Sequence, residues 1–398
     1  MRRHRAITAL AFAGLTIAGL ASAAGAQTLE PLTLPVGGAE LSLGGVARGA
    51  LFAADQPGSA ADIAGVAKLI ARLQQTDDTG LTMSLNGTLA VHDRLSFGRY
   101  DGDLLEKLYG EARTGLGTVR LGLVDGASAQ LAVAGPVADT AVSLNDPSVT
   151  FFRDNNGNAV ADIFTLRTPG GPSSNYAKIE YESPDLSQFL GMDLRLALSF
   201  APSEGKNVLP FLAAGPQVPG RQADMWESAV HYGADFGHLS LSAYGGASFG
   251  RAEHKLPGQE GVSDYAAGLR GDYAVSDALT LSLGGAFHSS NAYTFDINRS
   301  YAGATTRIIH LSTGATYEKW STSLEYGSGV AGSAGGNARL GLNGMEVEVA
   351  RTVSDSVLAS LGWQHLIYGR DTGAFYDGSR RLSLDALFLH LSLRTKPL

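Results

Sequence analysis

Six basic residues in the first third of the chain, Arg48, Lys68, Arg72, Lys107, Arg113 and Arg120, stand at positions whose parity separates them from an apolar face. Successive side chains of an extended strand point to opposite sides. Leu41, Leu43 and Leu51 therefore put Arg48 on the other face, and Ala67, Leu69, Ala71 and Leu73 do the same for Lys68 and Arg72. Leu108 and Ala112 oppose Lys107 and Arg113, and Val119 and Leu121 oppose Arg120. Five aspartates follow in a stretch without such alternation: Asp125, Asp139, Asp146, Asp154 and Asp162. Basic and acidic rows across a narrow aqueous space set up a transverse field, which orients dipolar solutes and penalises apolar ones. That chemistry makes no bond and needs no cofactor. The alternative for the basic set is solvated charge away from any constriction.

Strings that would carry bond-making chemistry lack the context for it. Gly246-Ala-Ser248-Phe-Gly250 has the letters of a nucleophile elbow, but it lies within an alternating run and no helix follows. Gly327-Ser-Gly329-Val-Ala-Gly332 has the letters of a dinucleotide fingerprint, yet it reads as the start of a long loop rather than of a helix. His92, His231, His238, His310 and His365 are scattered without metal-ligand spacing. Asp154-Asn-Asn-Gly-Asn158 with Asp162 suggests a structural calcium, because acids and amides at alternate positions can converge oxygens on the ion. Its glycine is displaced from the EF-hand pattern, however, and Thr165 stands where the final Glu would be, so an Asn-rich turn is the other reading. The chain has no cysteine, which excludes thiolate metal sites and thiol nucleophiles.

The elements that would position these residues are strands. Alternating runs occur at 40–54, 66–76, 81–91, 106–114, 118–123, 175–183, 192–202, 224–236, 238–250, 263–273, 279–287, 306–317, 320–327, 338–351, 357–368 and 381–394. Almost no apolar helix or fully apolar strand is available to cover their apolar face. The economical solution is an all-β fold, a closed antiparallel transmembrane barrel of about sixteen strands covered by lipid. Connections alternate in length: tight ones such as 77–80, 115–117, 275–278 and 354–356 are separated by long polar ones such as 203–223 and 288–305. This sorting predicts short turns facing the periplasm and long loops facing outward. Aromatic residues gather near strand ends, among them Phe52, Tyr181, Phe200, Phe236, Tyr273, Phe287, Tyr317, Trp320, Tyr326 and Tyr368, as membrane-interface girdles require.

A leader precedes the strands. Arg2, Arg3 and Arg5, an apolar stretch over 6–20 and the small residues Ala21-Ser-Ala23 and Ala24-Gly-Ala26 predict a signal peptide over 1–26 and one barrel domain over 27–398. Without the leader about 27 basic residues face 38 acidic ones, a balance that argues against nucleic acid as a partner. No later segment reaches the ~18 continuous apolar residues of a membrane helix.

The stretch Lys107-Leu-Tyr-Gly-Glu-Ala-Arg-Thr-Gly-Leu-Gly-Thr-Val-Arg-Leu-Gly122 resembles the hairpin of the sixteen-stranded general porins of Gram-negative bacteria, particularly the alphaproteobacterial type. Asn175-Tyr-Ala-Lys-Ile-Glu-Tyr-Glu-Ser-Pro184, after a long insertion, is similar to the family's next strand. The resemblance implies an outer-membrane channel for passive diffusion of small hydrophilic solutes and ions, a homotrimer, assembly by the barrel-assembly machinery, and no enzymatic activity. It also implies that the 124–174 insertion, between strands five and six, folds into the lumen and narrows it. A substrate-selective channel is the alternative, and an outer-membrane barrel enzyme a more distant one. Two departures stand out: Leu123 occupies a position where the family often has arginine, and the chain ends at Leu398 where the family has an aromatic residue.

Overall fold

The computed structural model describes residues 28–55, 61–93, 105–145, 151, 165–174, 176–187, 192–204, 220–292, 305–333, 338–371 and 379–398. Asp146, Asp154 and Asp162, the calcium candidate and the leader lie outside the described residues.

The alternating runs become sixteen strands: β2 (Ala39–Ala54), β3 (Ala61–Thr76), β4 (Thr82–Asp93), β5 (Leu105–Thr114), β6 (Gly117–Leu123), β7 (Ala177–Glu182), β8 (Asp193–Ser203), β9 (Gln222–Phe236), β10 (Leu239–Ala252), β11 (Val262–Ala274), β12 (Leu279–Ser290), β13 (Thr306–Tyr317), β14 (Trp320–Gly332), β15 (Arg339–Ser354), β16 (Val357–Arg370) and β17 (Arg381–Arg394). Each pairs antiparallel with its sequence neighbours, and β17 returns to β2 from Ala386↔Ala54 to Arg394↔Val46. Closure satisfies the backbone groups that an open sheet edge would leave bare in lipid. No helix among the described residues is long and apolar enough to cross a membrane.

Two details correct the expectation. The Gly327 to Gly332 string is not a loop: it continues β14, with Gly327 opposite Gly344 and Gly329 opposite Leu342 on β15. Ladder hydrogen bonds need only backbone, so a glycine run whose neighbour is a regular strand stays paired. A short strand, β1 (Leu32–Val36), also precedes the sixteen. It pairs with β2 from Leu32↔Leu43 to Val36↔Ala39, through a hairpin at Gly37 and Gly38 with φ of 55° and 87°. Positive φ at both central residues gives the turn whose twist matches its strands. Since Arg394 faces Val46 and Leu32 faces Leu43 along the same side of β2, β1 extends the line of β17. The C-terminal tail closes this junction: the Thr395 N–H donates to Gly45 O at 3.0 Å and the Lys396 N–H to Leu29 O at 2.9 Å.

Parity sorts the side chains. Ile63, Leu69, Met83, Leu121, Leu198, Leu269, Leu283, Ile309, Val347 and Leu361 point outward and are exposed, as a lipid-facing surface requires. Phe236, Tyr273, Tyr317 and Trp320 ring the short-turn end, and Trp226, Phe249, Tyr265 and Tyr326 the long-loop end. Phe52 and Tyr368 do not belong to either ring. Both point inward and are 1% exposed, because Phe52 shares the parity of Arg48 and Tyr368 that of Leu342 across the ladder. With Phe388, Leu340, Leu342 and Leu384 they form an apolar patch inside the barrel, which the 124–174 segment covers with Leu144, Phe151 and Leu166. Phe151 is stacked on Phe388 at 4.6 Å and tilted against Phe52 at 5.3 Å.

Candidate functional site

The inner wall has two chemically distinct halves. On β2 to β6 it carries all six basic residues read from the sequence, each on the inward face. Their heights differ. Arg113 is one pair from the turn that joins β5 to β6, so it stands at the short-turn mouth, where it pairs with Glu111 at 3.2 Å. Lys68 and Arg72 are four residues apart on one strand, about 13 Å along it.

Three of these cations, Lys68, Arg113 and Arg120, meet acids of the wall itself. Lys68 pairs with Glu106 at 2.7 Å. Arg120 binds Glu111 at 2.8 Å and both Glu180 and Glu182 at 2.9 Å, and donates to Gln130 at 2.8 Å. Arg72 donates to Asn86 at 2.9 Å and to the Leu398 carbonyl at 2.8 Å. Lys107 reaches an aspartate of the long segment, Asp125. Glu111 shares the inward parity of Lys107 and Arg113, and Glu180 and Glu182, which were not singled out in the sequence, have inward parity too; which cation each meets depends on strand register. Glu106 has the opposite parity to Lys107 and turns inward only because the ladder shifts register between Thr88 and Leu89.

The long segment lies along the other half of the wall. Directly after β6, the short helix α1 (Ala127–Gln130) is seated on β8 to β10: the Ala127 N–H donates to Ser199 Oγ at 3.2 Å, and Ser128 Oγ lies 2.7 Å from the Tyr244 hydroxyl. Further on, the Ala138 N–H donates to Ser323 Oγ at 3.0 Å and the Asp139 N–H to Glu348 Oε2 at 2.8 Å. The Ser143 hydroxyl and the Leu144 N–H both donate to Glu325 Oε2, at 2.6 and 3.2 Å. On the return, the Ser173 N–H donates to Glu227 Oε1 at 2.9 Å. Lys178 then donates to the carbonyls of Val124 and Ser173, joining the two ends of the segment. Wall carboxylates thus accept the backbone N–H groups that a non-strand segment inside a barrel must satisfy.

Asp139 does not face the basic wall. Its carboxylate lies 2.5 Å from His390 Nδ1 and accepts from Ser360 Oγ at 3.1 Å and the Ala141 N–H at 2.9 Å, against β16 and β17. Burial pushes this carboxyl up, but the hydrogen bonds from His390, Ala141 and Ser360 outweigh it and hold it below the usual range. The acid- and histidine-bearing half of the wall, Glu227, Asp264, Glu325, Glu346 and Glu348 with His288 and His390, was not singled out in the sequence, where His310 reads only as a scattered histidine. Alternation around Leu324, Met345, Val347 and Val349 carries the signal, since those four are exposed to the outside while the glutamates are buried.

The letters that mimic an enzyme resolve as wall. Ser248 lies on the inner face of β10 opposite Glu227 on β9, while its neighbour Phe249 is exposed outside.

A closed sixteen-stranded barrel has counterparts among solved structures. A Salmonella typhi OmpF complex with daunomycin matches with a TM-score of 0.55 at 10% identity, over 91% of this chain and 100% of that one. An anion-selective porin from Comamonas acidovorans gives 0.53 at 12% identity, over 89% and 99%. The trimer form of in-vitro folded OmpT, an outer membrane protein of Vibrio cholerae, gives 0.51 at 13% identity, over 89% and 99%. Identities this low speak for the fold alone. No curated protein sequence is significantly similar to the chain. The Gram-negative porin family model, in contrast, matches residues 6–357, so the chain belongs to the Gram-negative porins, channels of the outer membrane.

Proposed function

We propose that the barrel passes small hydrophilic solutes and ions passively, and that the 124–174 segment sets the width of the passage. The observation that carries this reading is the asymmetry of the lumen. The described part of the segment is hydrogen-bonded to the wall from β8 to β17, whereas the basic side of the wall keeps its contact with water: Lys68 and Lys107 side chains are 20% and 27% exposed. Water-accessible charge facing a bound segment is the arrangement that sorts solutes by size and charge without bond making. The string at Gly246 to Gly250 offers no activated nucleophile, since among the described residues Ser248 Oγ has no hydrogen-bond partner and therefore no base beside it.

Reconstituted into planar bilayers, the folded protein is expected to open in discrete conductance steps, and Lys107→Glu to move the reversal potential in a salt gradient toward cations. Absence of steps from correctly folded protein would overturn the reading. Short turns face the periplasm and long loops the exterior.

We also propose a homotrimer. Outward on β2 and β3 the small residues Ala47, Gly49, Gly65 and Ala67 sit side by side, Gly49 opposite Gly65 and Ala47 opposite Ala67. Such a surface lets a second barrel approach closely. Sedimentation in detergent should then give about three times the mass of one chain, and a single-chain mass would refute the assembly.

A further inference from the structure

Under the 139–144 part of the inner segment lie three glutamates. Glu325 on β14 is directly opposite Glu346 on β15, and Glu348 follows two residues along the same face. All three are at most 1% exposed, and one carboxylate oxygen from each lies within 4.8 Å of the others. Like charges directly opposite one another repel, and a buried carboxylate without a counter-charge is costly. Among the described residues their only ion-pair partner is His310, whose Nε2 lies 3.0 Å from Glu325 Oε2. No lysine or arginine of the described residues bridges to them.

A cluster of acids alone would mean little. The second observation is how the six oxygens divide. Each Oε2 is engaged: that of Glu325 by His310, Ser143 and Leu144, that of Glu346 by Gln364 at 2.8 Å, and that of Glu348 by the Asp139 N–H. Each Oε1 is buried without any hydrogen-bond partner. Three buried carboxyl groups, each with one oxygen unpartnered and all three converging in one dry place, call for a shared positive centre.

We propose that Glu325, Glu346 and Glu348 bind a calcium ion that ties the inner segment to the wall at β14 and β15. Calcium takes oxygen ligands at about 2.3–2.6 Å, so two oxygens on one ion stand up to about 5 Å apart, the separation found here. An all-carboxylate set selects a hard divalent cation over zinc or copper. Magnesium keeps several waters, whereas this cluster is covered by the segment; an ion that sheds water readily fits better. The Ser143 hydroxyl and the Val142 carbonyl, which accepts from Gln364 at 3.3 Å, stand beside the glutamates as neutral oxygens. The residues are distinct from the 154–162 stretch.

The test uses full-length protein refolded in detergent without lipopolysaccharide, stripped with chelator and titrated with calcium, the retained metal being counted by mass spectrometry. Roughly one tightly held calcium per chain is expected, with the inner segment more resistant to protease in calcium than in chelator. Glu346→Gln and Glu325→Gln should weaken binding at least about tenfold, while Asp154→Asn leaves it unchanged. Wild-type protein that retains no calcium overturns the proposal whether or not the glutamine variants fold. Binding that survives both glutamine variants, or is lost in Asp154→Asn, overturns it equally. Because metal content is read without any channel measurement, failure here is separable from failure of the diffusion reading.

Discussion

Replacing Arg120 with alanine should destabilise the barrel by about 3–5 kcal/mol, the range for removing one partner of a buried ion network. The guanidinium is 12% exposed and holds three carboxylates apart: Glu111 on β5 and Glu180 and Glu182 on β7, the side chain of Glu180 being fully buried. Arg120 faces Glu111 on one side and Glu180 on the other in the strand register, so its loss leaves Glu180 and Glu182 without their guanidinium and Glu111 with only the exposed Arg113. Gln130 loses an anchor as well, which loosens α1 from the wall. Lysine at 120 keeps the charge but not the planar fork, and should recover only part of the loss. Alanine at 120 combined with glutamine at 111, 180 and 182 should recover more, because the repulsion goes with the charges. The denaturant midpoint of refolded protein in micelles, followed by tryptophan fluorescence, reads the series. An unchanged midpoint in Arg120→Ala would mean that the network contributes nothing net.

How far such residues can be found from sequence depends on what each inference needs. Parity needs only strand identity, and it put Arg48, Lys68, Arg72, Lys107, Arg113 and Arg120 on the inner face. Partners need register. Nothing in the alternation of β5, β6 and β7 says that Arg120 meets Glu111 and Glu180 rather than an aspartate of the long segment. Relative height on different strands needs strand tilt and stagger, whereas Arg113, six residues from Lys107 on one strand and two before the 115–117 turn, is at the mouth by its place in the sequence. β1 escaped notice because five residues containing Pro35 are too short and too irregular for a period to register. The glutamates of β14 and β15 were legible by the same parity as the arginines. Their significance was not, since it lies in Asp139, Ser143 and Leu144 descending on them from a segment that has no period at all.

The seat of that segment gives the second large effect. Adding a single methyl group, Gly268→Ala, should lower single-channel conductance by roughly a quarter to a half, because passage follows the open cross-section. A Cβ at Gly268 would stand 1.8 Å from the Val133 carbonyl oxygen, against the ~3.5 Å of an ordinary contact. One side must move by about 2 Å. The wall cannot, since Gly268 is locked in the ladder opposite Tyr244 on β10 and Ala286 on β12. Val133 can, because it lies between two anchors, Ser128 on the Tyr244 hydroxyl and Ala138 on Ser323, and among the described residues only packing, not hydrogen bonds, holds 132–137 between them to the wall. Away from the wall is into the lumen, so the bow narrows the passage instead of opening it, at an overpacking cost of about 1–3 kcal/mol. Gly87→Ala is the control: its added Cβ meets only Leu108 Cδ1, at 3.9 Å on the outer face, and conductance should not change. If Gly268→Ala conducts like the wild type, Val133 does not border the conducting path. If it conducts more, the anchors at Ser128 and Ala138 are weaker than their hydrogen bonds imply, and the segment has left the wall altogether.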